Sequence, residues 1–168
     1  LVAAGVPTLV EFVDLVAARA RKTLVVELKA TGWNPVGAPY AGLAAKVLAI
    51  VAEHLEHVVL QSFQIEYLRE LRAASADVRL HLLSMPYRLL PVVRNWGGDR
   101  SQLNQALALK LESVNVAHFR VSATLVAWLH DNGLRVGAWT VNDAGAMRAV
   151  IAAGVDVIIT DRVVTARD

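Results

Sequence analysis

A chain of 168 residues fits one domain and can bury a proper core. Its residues are 55% hydrophobic with a mean hydropathy of +0.44, yet no stretch offers about 18 consecutive apolar residues, which excludes a membrane-spanning helix within it. The 17 Lys and Arg against 15 Asp and Glu are scattered with no aromatic interleaving, which speaks against nucleic acid as a partner, and the absence of Cys excludes disulfides, thiolate metal sites and a Cys nucleophile.

Pro7-Thr8 opens an amphipathic run from Leu9 to about Lys22, with Leu9, Phe12, Val13 and Val16 as its apolar stripe and Thr8 as N-cap. Arg19, Arg21 and Lys22 form the one tight basic group, placed at the helix end where they favour the dipole. A strand over Leu24–Lys29 follows, then a loop with Gly32, Pro35, Gly37 and Pro39. Helix Ala41–His54 leads to strand Val58–Phe63, and helix Ile65–Ala74 leads to strand Val78–Leu83. Residues 84–110 are the least regular, with Met85-Pro86-Tyr87 and Gly97-Gly98, and read as a loop with one or two short helices. Strand Val114–Phe119 precedes helix Ala123–Asn132, which Gly133 closes. Strand Arg135–Val141, helix Ala144–Ala153 with Gly154 as cap, and strand Val155–Thr160 complete the pattern.

Six strands alternating with about six helices predict a parallel sheet with right-handed crossovers. Strands covered on both faces account for the Val, Leu and Ile runs. A complete eight-stranded barrel needs about 250 residues. The chain is therefore expected to be a TIM-type (β/α)8 barrel lacking about two βα units, or else an open α/β sheet. It opens on Leu1 rather than Met and shows no signal peptide, so the native N-terminus is expected upstream of an N-terminally truncated single domain, 1–168. A cytoplasmic location suits the lack of Cys, with secretion or membrane tethering left open.

The chemistry gathers at strand ends. Val25-Val26-Glu27-Leu28-Lys29 ends in an acid and a base two residues apart, which period-2 alternation puts on one face. Glu27 can donate a hard oxygen to a cation or simply sit exposed at a strand terminus. Lys29 can hold a phosphate oxygen as a point charge or pair with Glu27. Trp139 is a flat apolar wall for a ligand or a core aromatic, and Ser62 and Phe63 are weaker candidates. Asn142 and Asp143 are expected to cap the following helix rather than touch substrate, and Asp161 to bond nearby backbone or, as a strand-end carboxylate, to lie near a metal. Structural roles are expected for His54, His57, His81, His118 and His130, with His81 and His118 in strands.

Several runs together resemble the glycerophosphodiester phosphodiesterase family. Gly5-Val6-Pro7-Thr8-Leu9 with Glu11 is similar to its entry into the second helix, Val26-Glu27-Leu28-Lys29 to its Glu-x-Lys strand, and Gln61-Ser62-Phe63 to its Ser-Phe strand end. Gly133-Leu134-Arg135-Val136 with Trp139-Thr140-Val141-Asn142 resembles its most recognisable signature, and Gly154-Val155-Asp156 with Ile159-Thr160-Asp161-Arg162 its closing strand. Val163 stands where the family usually has Pro.

The resemblance implies a barrel that hydrolyses glycerophosphodiesters to an alcohol and sn-glycerol 3-phosphate with Ca²⁺ or Mg²⁺. It implies Glu27 as a metal ligand and Lys29, Trp139 and Phe63 as substrate-binding residues. The family's His-Arg-Gly, Glu-x-Asp and His-Asp runs are absent here, so no catalytic residue is assigned within the span. The span alone is expected to be inactive, its catalytic histidines lying upstream. A phospholipase D-type or phosphoinositide-cleaving barrel, and a degenerate binding module, are the competing readings. No Gly-x-Gly-x-x-Gly or Walker-type loop supports a nucleotide cofactor.

Overall fold

The structure, a computed structural model, describes residues 5–19, 22–32, 37–84 and 97–163. Arg21, Pro35 and the Met85-Pro86-Tyr87 run lie outside the described residues. The chain separates into two compact units, Leu1–Leu80 and His81–Asp168.

In the first unit, α1 (Leu9–Ala17) begins at Thr8 in a reciprocal cap. The Glu11 amide donates to the Thr8 hydroxyl at 3.3 Å, while the Thr8 amide donates to the Glu11 carboxylate at 2.6 Å. Those Thr8 bonds hold the Glu11 carboxyl below its ordinary pKa. The helix stops at Ala17, well short of the expected Lys22, and buries only Val13 fully. Phe12, expected on the buried stripe, is 43% exposed, because Val13 faces the core and a neighbour in sequence is turned 100° away.

Strand β1 (Leu24–Glu27) pairs in parallel with β2 (Val58–Ser62), Leu24 opposite Val58 and Glu27 opposite Gln61. Between them α2 (Leu43–Val51) runs into a 3-10 turn over Ala52–His57, where His54 leaves helical geometry and cuts short the expected helix. Helix α3 (Ile65–Ala74) buries Tyr67, Leu68 and Leu71, with its charged residues outward. Each such leucine contributes about 1.5–3 kcal/mol on burial, more than a surface ion pair. That burial, rather than surface charge, holds α3 down.

Strands β3 (Arg79–Ser84), β4 (Ser113–Ala117), β5 (Arg135–Trp139) and β6 (Val157–Ile158) pair in parallel and in chain order. Helices α4 (Gly97–Ala108), α5 (Ala123–Asp131) and α6 (Ala144–Ala152) alternate with them. Ala138, Val141, Met147 and Val150 form a core cluster between strand and helix. Gly133 and Gly154 follow α5 and α6 with φ of +76° and +91°, the left-handed exits expected of them.

Five strands end earlier than the sequence suggests: β1 at Glu27 rather than Lys29, β2 at Ser62 rather than Phe63, β4 at Ala117 rather than Phe119, β5 at Trp139 rather than Val141 and β6 at Ile158 rather than Thr160. His118 lies in a 3-10 turn over His118–Arg120, not in β4. The last strand contracts from Val155–Thr160 to Val157–Ile158, although the Ile159 amide still donates to the Ala138 carbonyl at 2.8 Å. Gly137 sits mid-strand for a steric reason: a Cβ there would lie 2.2 Å from Oδ1 of buried Asn115 on β4. Asn115 is fixed in turn by the Ser113 hydroxyl, which donates to Oδ1 at 2.9 Å.

Candidate functional site

Glu27 is the last residue of β1, and its parallel partner β2 ends one residue before Phe63. Glu27, Lys29 and Phe63 therefore gather at the C-terminal end of the same strand pair, as expected. The Lys29 Nζ donates to Glu27 Oε1 at 2.9 Å, with the lysine side chain 65% exposed and the glutamate 25%. Alternation explains the geometry. Leu28, between them, is buried at 2% exposure and points the other way.

The backbone under this pair is held from two sides. The Leu28 amide donates to the Gln61 carbonyl at 2.8 Å, and the Ser62 hydroxyl donates to the Leu28 carbonyl at 2.7 Å. Ser62 is wholly buried and also accepts from the Gln64 amide at 3.0 Å. Ser62 thus supports the backbone beneath the pair, whereas half-buried Phe63 offers the surface. The strand-end position of Ser62 was the visible sign of that role; its partner, 34 residues away, was not.

In the second unit, Trp139 closes β5 and is part-buried. Its indole Nε1 donates to the Asn115 carbonyl at 2.9 Å, which fixes the ring plane against β4. Asn142 does not cap α6. Asp143 does, its Oδ1 accepting from the Ala146 amide at 2.9 Å. The Asn142 Oδ1 instead accepts from the Asp161 amide at 2.9 Å and from the Thr160 hydroxyl at 3.0 Å. Its Nδ2 donates to the Asp161 carboxylate at 3.0 Å, so that carboxylate meets a side-chain amide where backbone was expected. Asn142 thereby ties the exit of β5 to the exit of β6.

The histidines divide by surroundings. His81 is buried in β3, with Nε2 3.8 Å from a Glu112 carboxylate oxygen. His118 Nδ1 is buried with no hydrogen-bond partner among the described residues, and its ring meets Phe119 edge-on at 5.7 Å. His130 Nε2 lies 2.9 Å from Asp156 Oδ2, an oxygen that also accepts from the Val136 amide at 2.7 Å. Burial acts to raise the Asp156 pKa, but the Val136 amide, the His130 imidazole and the Arg135 charge together hold it below the ordinary value.

Among the described residues no group of three or more His, Asp or Glu side chains is arranged to hold a metal ion. Glu27 fits a hard cation by donor chemistry, as one carboxylate of a larger oxygen set. Nor is any helix of the described residues long and apolar enough to cross a membrane.

Comparison with known proteins agrees with this layout. The model of the Glycerophosphoryl diester phosphodiesterase family matches residues 2–165. A glycerophosphodiester phosphodiesterase of Caldanaerobacter subterraneus subsp. tengcongensis is 28% identical over 124 residues, covering 73% of this chain and 46% of that protein. A crystal structure from Silicibacter pomeroyi DSS-3, provisionally named a glycerophosphoryl diester phosphodiesterase, matches with a TM-score of 0.75 at 27% identity, covering 95% of this chain and 55% of that one. An Oleispira antarctica phosphodiesterase, solved with its product sn-glycerol-3-phosphate, shares the fold with a TM-score of 0.67 at 18% identity, covering 96% of this chain and 60% of that one. The chain spans about half the length of these relatives. Its fold class is that of the TIM-type (β/α)8 barrel, with about six of the βα units present.

Proposed function

The chain belongs to the glycerophosphoryl diester phosphodiesterase family, and from that premise we propose that it supplies part of a metal-dependent phosphodiesterase. Its substrates in this reading are glycerophosphodiesters, small molecules of lipid and glycerol metabolism. The products are an alcohol and sn-glycerol 3-phosphate. The observation that carries the reading is the Glu27–Lys29 pair at 2.9 Å at the exit of β1, where a parallel barrel keeps its chemistry.

Glu27 gives an oxygen to a divalent cation, Ca²⁺ or Mg²⁺, both of which prefer such ligands. Once bound, that cation supplies charge stabilisation and Lewis-acid polarisation at the phosphate. The Lys29 ammonium exchanges its carboxylate partner for a phosphate oxygen when substrate arrives. Its exposure and flexible stem suit that exchange. Trp139, its ring held through Nε1, and Phe63 offer apolar walls to the glycerol or the leaving alcohol. None of these residues moves a proton to the leaving alkoxide, help typically worth about 10²–10⁴ in rate. Residues 1–168, read as one domain, are therefore proposed to be inactive alone.

The test compares the full-length protein with the 168-residue span, following glycerol phosphate release from glycerophosphocholine with added Ca²⁺ or Mg²⁺. Metal-dependent turnover is expected from the full-length protein only. Turnover by the span alone would bring His81 or His118 back as catalysts. No turnover by either would remove the proposed activity.

A further inference from the structure

The chain leaving β1 and returning towards α2 is paired with itself. The Thr31 amide donates to the Ala38 carbonyl at 2.8 Å, and the Thr31 hydroxyl donates to the same oxygen at 2.9 Å. Two residues further out on each arm, the next facing positions are Lys29 and Tyr40, the spacing of an antiparallel ladder. Between these two backbones stands the Tyr67 hydroxyl of α3. It accepts from the Tyr40 amide at 2.5 Å and donates to the Lys29 carbonyl at 3.3 Å. A phenol carries one donor and can accept at the same oxygen, so one hydroxyl completes both bonds. Tyr67 is wholly buried, its ring held by the core of α3.

We propose that Tyr67 is a positioning residue for Lys29, its hydroxyl serving as the rung that fixes the Lys29 backbone and aims the ammonium. The proposal rests on the function above, in which Lys29 meets a phosphate oxygen. A lysine is a point charge on a flexible stem, so its useful placement depends on where its Cα is held. Ser62 fixes Leu28 from one side, and Tyr67 fixes Lys29 one residue further along. Both anchors are buried, so the exposed pair stands on a rigid base.

Tyr67→Phe keeps the ring in the core and deletes only the hydroxyl, which makes it the test in the full-length protein. Catalytic efficiency with glycerophosphocholine should fall about tenfold, measured below the onset of thermal unfolding. In a Lys29→Met background the same substitution should change efficiency by less than about twofold, because a positioning effect has nothing left to position. The affinity for sn-glycerol 3-phosphate gives the same cycle if turnover of the double variant is too slow to read. Equal losses in both backgrounds would overturn the proposal and leave Tyr67 a merely structural residue. Amide hydrogen exchange at Tyr40 separates this failure from that of the proposed function. If the unsubstituted protein has no activity, faster exchange at Tyr40 in Tyr67→Phe still supports the rung, and unchanged exchange overturns it.

Discussion

Two short side-chain contacts to a carboxylate in this molecule have the same length and do different things. Lys29 and Glu27 meet at 2.9 Å, as do His130 and Asp156. The first joins residues two apart, and such exposed pairs are worth about 0–1 kcal/mol. The second spans 26 residues, from the last turn of α5 to the entry of β6, and its carboxylate also receives the Val136 amide at 2.7 Å. One pair stands where strands end and the other where they begin. In parallel barrels chemistry collects at the first place and stability at the second. A short contact distance by itself separates neither role. Whether the carboxylate also ties down distant backbone does.

The sharpest way to break that comparison is Glu27→Gln in the full-length protein. If Glu27 faces the metal as proposed, loss of its charge should lower kcat about 10²-fold while metal affinity falls and the thermal midpoint stays. Activity unchanged under saturating metal would take Glu27 out of the site. Asp156→Ala should behave in the opposite way. Unfolding free energy from urea titration should drop by about 1–3 kcal/mol, because the Val136 amide loses its acceptor. The kcat of the molecules that remain folded should stay within about twofold, since nothing at the strand ends is touched.

Acid sharpens the same contrast with a smaller signal. The folded-state pKa of Asp156 lies below its ordinary value of 3.8, so its charged form is favoured by folding. Its contribution is therefore present above the unfolded value and is lost as pH falls through the folded one. The stability gap between the unsubstituted protein and Asp156→Ala should hold from neutral pH to about 5 and shrink below about 4. A gap that grew on acidification would reverse the sign and refute the assignment. Trp139→Phe should have the mildest effect, about 1 kcal/mol from the lost bond to the Asn115 carbonyl. That loss appears in the unfolding midpoint, and if Trp139 is also a substrate wall KM rises as well.

The strand–helix alternation was legible because strands buried on both faces are written as apolar runs that no helix period explains. Glu27 and Lys29 were legible because period-2 spacing acts over three residues. The strand ends were not. Lys29, Phe63 and Thr160 each fall outside the strand assigned to them, since side chains take over the bonding there, and His118 does because a 3-10 turn begins at it. Ser62 in place of a further rung at Leu28, and Asn142 in place of backbone at Asp161, are substitutions that a local pattern cannot show. Phe12 misled because a nine-residue helix with an apolar residue on nearly every side has no unique stripe. The His130–Asp156 pair was invisible for a simpler reason: only the fold brings those positions together.

Gly137 and Asn115 impose a rule of inheritance on the chain. With 2.2 Å between a hypothetical Cβ at 137 and the amide oxygen at 115, neither position can drift alone towards bulk. Alanine at 137 is admissible only once 115 has become smaller, so the viable route between the two states passes through a cavity rather than a clash. Descendants of this sequence should therefore gain a side chain at 137 only after 115 has become smaller. A mutagenesis library that varies them independently will lose most of its members with a side chain at 137.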